Sequence, residues 1–432
     1  MLRTESSTRI NAALIAHAAN ALTRLLEFAQ PADAVLSAYF REQRQLGGRE
    51  RGFVAETCYA VLRHKRSLER LVEPAQGARR LILAALLRLS GVAQRQLSEY
   101  VSADEKEWLL AFKARLEPEL SLAEQADLPD WLVEKLMQRR DATQLLVLAR
   151  GLNQSAALDI RVNSLKAKRE EVMAQFAAEG IAVEACPFSP LGIRLKTKPA
   201  LQKHPLYLSG TIEVQDEGSQ LLGVLLAPKR GEMVVDFCAG AGGKTLLLGA
   251  LMRSTGRLYA FDVSAKRLAK LKPRVARSGL SNMHPVCIEG ENDSRVKRLA
   301  GKIDRVLIDA PCSGLGTLRR NPDLKWRQTP QSIAELTLKQ QHILAGAARL
   351  VKPGGRLVYA TCSILSEENE TIVDGFLDAH PEFQRLSASA VLAQQGISIA
   401  DCAAGGSGQD FRLLPHRHGT DGFYAAVLER AK

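Results

Sequence analysis

VVDFCAGAGGKT, from Val234 to Thr245, is the stretch that decides the fold. The apolar run VVDF ends in a turn holding Gly240, Gly242 and Gly243, and the turn opens into KTLLLGALM, spaced like a helix. A strand that turns through glycines into a helix lets backbone N–H groups approach a ligand, because no side chain intervenes. Downstream, GRLYAFDV, HPVCIEG, DRVLIDA and GRLVYATCS read as strands, with AKRLAKLKPRVARSG and SIAELTLKQQHILAGAARLV as helices between them. This alternation predicts βαβ units, right-handed crossovers and a mostly parallel, Rossmann-like α/β sheet, closed by a last strand at DGFYAAVLER.

Upstream the pattern is different. INAALIAHAANALTRLLEF, ADAVLSAYFREQ, ERGFVAETCYAVLRHKRSLERLV and ARRLILAALLRLS place apolar residues at helical intervals, separated by breaks such as QLGGRERG and VEPAQG. From about residue 156, ALDIRVN, IAVEAC and GIRLK read as short strands around the helix KAKREEVMAQFAAEG. The chain is therefore expected to be multidomain. An all-α domain spans 1–145, a small α/β subdomain 146–228, and the Rossmann-like domain 229–432.

With 432 residues, the chain is too long for one core. Its net charge of +12 favours a polyanionic partner, since each phosphate neutralised by a cation releases condensed counterions. Arg161, Lys166, Lys168 and Arg169 are candidates for phosphate contact in the small subdomain. No apolar run is long enough to span a membrane, and the N-terminus lacks the pattern of a secretory signal. The seven cysteines are odd in number and none forms a CxxC pair, which disfavours disulfides and bound metal and points to a reducing cytoplasm.

Other readings of the glycine turn fail on single positions. A Walker A loop needs glycine where Cys238 stands, and the dinucleotide GxGxxG needs glycine at Thr245. Asp262, ending the next strand, can accept both ribose hydroxyls of an adenosine. S-adenosylmethionine, an adenosyl cofactor without phosphate, is the fit that remains.

Asp309, Pro311 and Cys312 follow the strand VLIDA, and Cys362 follows LVYAT. Ligands of doubly wound sheets bind outside the carboxyl ends of the strands, so both cysteines should converge on the glycine turn. A lone cysteine is ordinarily a small buried hydrophobe; two at equivalent strand ends beside a cofactor loop suggest chemistry. Methylation at carbon 5 of a pyrimidine uses such a pair. A thiolate adds to carbon 6, which makes carbon 5 nucleophilic, and leaves after a base takes the carbon 5 proton. Asp309 is placed to favour the addition from the side of cytosine N3, and Lys244 to orient groups in the pocket. The loop LGTLRRNPDLKWR adds Arg319, Arg320, Lys325 and Trp326, a mixture suited to phosphate contact and base stacking.

These residues resemble the NOL/NOP/Sun family of RNA (cytosine-5)-methyltransferases, and within it the bacterial 16S rRNA enzymes that carry a NusB-like helical domain. The matching stretches are RVNSLK, EVQDEGSQ, DFCAGAGGKT, DVSAKRL, IDAPCSGLGTLRRNPDLKW, KPGGRLVYATCS with EEN after it, and LPHRHGTDGF. The resemblance implies a class I methyltransferase domain that takes S-adenosylmethionine, with RNA as substrate and the chain working as a monomer. It implies Cys362 as nucleophile, with Cys312 assisting product release and Asp309 acting at the base. It also implies a cofactor site formed by Cys238, Ala239, Gly240, Ala241, Gly242, Gly243, Lys244, Asp262, Arg267 and Asp309. The family's usual CAAPGGK is CAGAGGK here. An acidic residue expected after the third strand falls among Glu291, Asn292 and Asp293. Two other classes stay open: a methyltransferase acting on DNA cytosine or a protein amine, and a non-catalytic RNA-binding assembly factor.

Overall fold

A computed structural model describes residues 10–74, 77–114, 118–197, 199–404 and 408–432. The chain divides into two units, residues 1–154 with 318–329, and residues 155–317 with 330–432.

The first unit is helical. Its principal helices are Ala12–Leu25, Ala32–Glu42, Gly48–Arg63, Ala78–Arg88, Ala103–Ala114 and Ala142–Asn153. The apolar positions legible in the sequence form its core, with Leu14, Ile15, Leu22, Val61, Leu62, Ile82 and Leu83 buried. Asn11 starts the first helix by accepting from the Leu14 amide, and Asp141 starts the last by accepting from Gln144. That last helix runs across the boundary expected at 145/146. Leu145, Leu148 and Leu152 form one buried face, so the division falls after Gln154 instead.

Residues 318–329 return to this helical unit, which βα alternation does not foretell. The Trp326 indole N–H donates to the Leu62 carbonyl at 2.8 Å, and Arg63 donates to the Arg319 carbonyl at 3.1 Å. Lys325 is buried, with its ammonium donating to the Arg63 carbonyl and to Asn153 Oδ1, each at 2.8 Å.

The second unit contains two sheets. The small one is antiparallel, built from β1 (Leu158–Val162), β2 (Val183–Ala185), β3 (Gly192–Leu195) and β4 (Ile212–Val214) in the order β2-β3-β1-β4. Helix Arg169–Ala178 packs Val172 and Phe176 with Ile160, Ile193 and Ile212.

The large sheet has five parallel strands: β5 (Met233–Asp236), β6 (Arg257–Asp262), β7 (Met283–Cys287), β8 (Ile303–Asp309) and β9 (Val351–Thr361). Their order is β7-β6-β5-β8-β9. Beyond β9 the sheet turns antiparallel with β10 (Phe383–Leu386), β11 (Ala403–Ala404), β12 (Asp410–Leu413) and β13 (Phe423–Arg430). β13 pairs with β9 on one side, and on the other with β12 along its first half and β10 along its second.

Both faces are covered, so the strands are apolar at consecutive positions. Val234, Leu307 and Val358 pack with helices Glu217–Leu226 and Gly243–Leu251 on one face. Val235, Val306, Ile308 and Leu357 pack with helices Pro330–Ala348 and Glu370–Ala379 on the other. β5 has β6 on one side and β8 on the other, so the strand order reverses there. A crevice opens beyond the carboxyl end of a strand at such a switch point.

Candidate active site

The crevice at the end of β5 is a cavity of about 650 Å³, a size suited to a small cofactor and one reacting base. The glycine turn, Asp262, Asp309, Cys312 and Cys362 all line it, so strand ends far apart in sequence converge as expected.

The turn is braced from several sides. Asp262 Oδ2 accepts from the Gly240 amide at 2.8 Å, while its Oδ1 accepts from the Ser264 amide and pairs with Arg267 at 3.0 Å. Arg274 donates to the Ala241 carbonyl at 2.6 Å, and Arg161 to the Gly243 carbonyl at 2.8 Å. Gly242 caps the helix at φ +83°, and a Cβ there would lie 2.1 Å from Leu271 Cδ1, so it serves the turn and its packing rather than the cavity wall.

Of the three acidic-loop candidates, Glu291 lines the cavity. Asp293 instead caps the short helix Ser294–Lys297 and holds Arg295, while Asn292 accepts from Arg349. Asp236 is buried at the root of the turn, where burial pushes its carboxyl up to about 7 against a hydrogen bond from Thr245. One of its oxygens has no protein partner.

Lys244 Nζ lies 2.6 Å from Asp309 Oδ2. Burial opposes the ammonium, but the negative charges of Asp309, Cys362 and Asp236 outweigh it and hold Lys244 above its ordinary value. Cys312 Sγ and Cys362 Sγ are 3.4 Å apart. The hydrogen bond to Cys362, burial and the negative charges of Cys362 and Glu368 push the Cys312 thiol well up. Cys238 is also held as a thiol, by burial and three surrounding carboxylates.

The four residues expected to contact RNA are placed otherwise. Lys325 and Arg319 are buried in the helical unit, and burial pushes the Lys325 ammonium down to about 7. The Trp326 ring is approached by the ammonium groups of Lys65 and Lys325, 5.1 and 5.0 Å from its centroid. Arg320 is half-buried. Arg320 and Trp326 keep part of their surface exposed, whereas Lys325 cannot reach a phosphate from the interior. Arg161 is likewise interior, and Lys166 donates to the Ser209 and Arg277 carbonyls. Lys339 and His342 do line the cavity with exposed side chains one helical turn apart. Sequence reasoning missed them because a single Lys and His on a long helix give no motif. His418, in the HRHGTDGF segment, is buried and bonded to backbone atoms.

Another cluster, Asp159, Cys186 and Glu217, has metal-ligating atoms within 4.8 Å of one another. Arg194 supplies positive charge there, donating to both Asp159 oxygens at 2.8 and 3.0 Å.

A reversed-order parallel sheet with a glycine turn, an acidic strand end and a cavity at the switch point defines a Rossmann-like methyltransferase. The chain belongs to the RsmB/F family of 16S rRNA methyltransferases, enzymes that depend on S-adenosylmethionine. The family description "16S rRNA methyltransferase RsmB/F" matches residues 223–429, and its ferredoxin-like domain matches 128–202. A probable ribosomal RNA small subunit methyltransferase B of Synechocystis is 34% identical over 90% of this chain and 93% of its own length. Ribosomal RNA small subunit methyltransferase B of Sodalis glossinidius is 31% identical over 95% and 96%. A solved structure described as PH0851 is 29% identical with a TM-score of 0.80, covering 98% of this chain and all of its own. A methyltransferase homolog protein from Pyrococcus horikoshii is 26% identical with a TM-score of 0.62, over 72% and 97%. Among the described residues no helix is long and apolar enough to cross a membrane.

Proposed function

We propose that this protein methylates carbon 5 of a cytosine in 16S rRNA, in the cytoplasm, through a covalent adduct to Cys362. The observation that carries the reading is the 3.4 Å approach of Cys312 and Cys362 in the wall of the cavity that also holds the glycine turn.

The residues present fit S-adenosylmethionine. Asp262 and Glu291 offer carboxylates to ribose hydroxyls, and the backbone of residues 238–241 and Gly243 leaves room for close approach. When bound, the cofactor supplies an electrophilic methyl group.

The side chains divide the remaining work. Cys362 acts as the nucleophile, in the field of the Lys244 ammonium, beside Cys312 held as a thiol. It adds to carbon 6, and the displaced π electrons move to carbon 5 and toward N3. Asp309, held by Lys244, lines the cavity where it can meet the N3 edge of the cytosine. After methyl transfer a base takes the carbon 5 proton, the carbon 5–carbon 6 double bond re-forms and Cys362 leaves. Cys312, adjacent to the departing sulfur, assists this release by exchanging its proton. Attack on a ring face requires an unstacked base, so the target lies in a loop or is flipped out. Lys339 and His342 stand at the rim to meet the flanking phosphates.

The test is to incubate the parent, Cys312→Ala and Cys362→Ala with cofactor and bacterial rRNA and look for denaturation-resistant complexes. Cys312→Ala should accumulate protein–RNA adduct, because addition proceeds without release, and Cys362→Ala should form none. The reverse pattern would exchange the two roles. Methylation of protein rather than RNA, or full activity in Cys362→Ala, would remove the covalent cytosine mechanism.

A further inference from the structure

Each cysteine begins the same four-residue pattern, CSGL at Cys312–Leu315 and CSIL at Cys362–Leu365. The structure gives the repeat a meaning. The Ser313 hydroxyl accepts from the Leu315 amide at 3.4 Å, and the Ser363 hydroxyl accepts from the Leu365 amide at 3.1 Å. Each serine thus shapes the turn that carries its neighbouring sulfur.

Both hydroxyls then donate to one oxygen of one carboxylate. Ser313 Oγ donates to Glu368 Oε2 at 2.5 Å, and Ser363 Oγ donates to the same atom. The second oxygen, Oε1, accepts from the Ser313 amide at 2.8 Å and from Gln340 Nε2 at 3.0 Å. Gln340 also donates to the Pro311 carbonyl, on the other side of Cys312. Glu368 is fully buried. Its backbone is fixed by the Tyr359 hydroxyl, which donates to the Glu368 carbonyl at 2.7 Å, and the next residue, Asn369, donates to the Ser363 carbonyl at 3.1 Å. A buried carboxylate with its oxygens filled by donors from two loops has little freedom to move, and neither have the loops.

We infer that Glu368 is a positioning residue that clasps the two cysteine loops together through Ser313 and Ser363 and so sets the spacing of the two sulfurs. This deepens the covalent reading and rests on it for its catalytic meaning. Glu368 touches no reacting atom. It acts through the serines, and its negative charge faces Cys312 and favours the thiol form there. Strands β8 and β9 alone fix where the loops begin; the clasp fixes where the loops end.

The test is Glu368→Gln in the full-length protein. The glutamine keeps the size but offers a donor where two hydroxyls now donate. Methyl transfer should fall about 100-fold in kcat, the scale of a misplaced reacting group. Cofactor affinity and KM for RNA should stay as in the parent. Iodoacetamide labelling of Cys312, read by mass spectrometry in the absence of RNA, should begin at lower pH once the facing charge is gone. Ser363→Ala should reproduce part of the kcat loss, Ser363→Thr should restore it, and Ser363→Ala added to Glu368→Gln should cost nothing further. An unchanged labelling profile together with additive losses would overturn the clasp, as would a kcat loss matched by the loss of folded protein. The labelling needs no RNA, so failure of the parent to form an adduct would sink the covalent reading while leaving the clasp to be decided separately.

Discussion

Arg161 donates to the carbonyl oxygen of Gly243 across 2.8 Å, from a strand of the small sheet to the glycine turn of the large one. Arg161 is buried, which lowers its pKa to about 10, still well above neutral pH. Arg274, itself gripped by Glu213, holds the Ala241 carbonyl in the same turn. Ala241 stands where relatives in the resembling family usually have proline. The two guanidinium tethers hold the turn's backbone from outside. Arg274→Gln should therefore weaken cofactor affinity by about tenfold, as loss of one charged hydrogen bond implies, with adduct formation at saturating cofactor little changed. Calorimetric titration with S-adenosylhomocysteine reads it; parental affinity would show the tether to be dispensable.

Gly316 is fixed by close approach. Its amide donates to the Cys362 carbonyl at 2.8 Å, its carbonyl accepts from Gly422 at 2.8 Å, and a Cβ would lie 2.1 Å from the Gly422 oxygen and 2.8 Å from that of Cys362. Both obstacles are backbone, so neither can swing aside. Gly316→Ala should cost about 1–3 kcal/mol in stability and displace the nucleophile's own peptide group. Denaturant unfolding measures the first effect and single-turnover methyl transfer the second. Parental values in both would show that the segment gives way without strain.

Buried Lys325 makes a pH prediction. Burial lowers its ammonium from 10.5 to about 7 in the fold, with Arg63 adding to the effect and Asp127 opposing it. Between those values the unfolded chain binds a proton that the folded chain does not. Stability should therefore rise with pH from about 7 toward 10.5, with a slope of up to about 1.4 kcal/mol per pH unit. Below 7 the cost is constant. In Lys325→Met this contribution disappears, so the difference between parent and variant, followed by denaturant unfolding across pH 6–10, isolates the one group. A parallel pair of curves would mean that the ammonium stays charged in the interior.

The positions of Asp262, Asp309, Cys312 and Cys362 were legible because strand ends of a doubly wound sheet share one edge, and period and glycine spacing reveal strand ends. The strand content of the small unit was legible for a similar reason, apart from three-residue β4. Composition reports charge in the segment Leu318–Thr329 but not its surroundings: Lys325 and Trp326 donate to Arg63, Asn153 and Leu62, and the buried Arg319 accepts from Arg63 through its carbonyl. Glu368 was invisible as a partner of Ser313, since its contact joins residues far apart in the chain. Its local traces were the CSGL and CSIL repeat and the EEN that follows the second cysteine.

Two exposed basic side chains of the reaction cavity, Lys339 and His342, stand one turn apart on helix Pro330–Ala348, beside Leu338 at 58% exposure. An ammonium that meets a phosphate releases about one condensed counterion, so its loss should reduce the dependence of log affinity on log salt by about one unit or less. Lys339→Gln should thus weaken binding to a 16S rRNA fragment most at low salt, with cofactor affinity intact. Filter binding of the Cys362→Ala background, which separates binding from adduct formation, at several salt concentrations gives the slope directly. An unchanged slope in Lys339→Gln would place the phosphates away from this helix and leave the rim to serve the base alone.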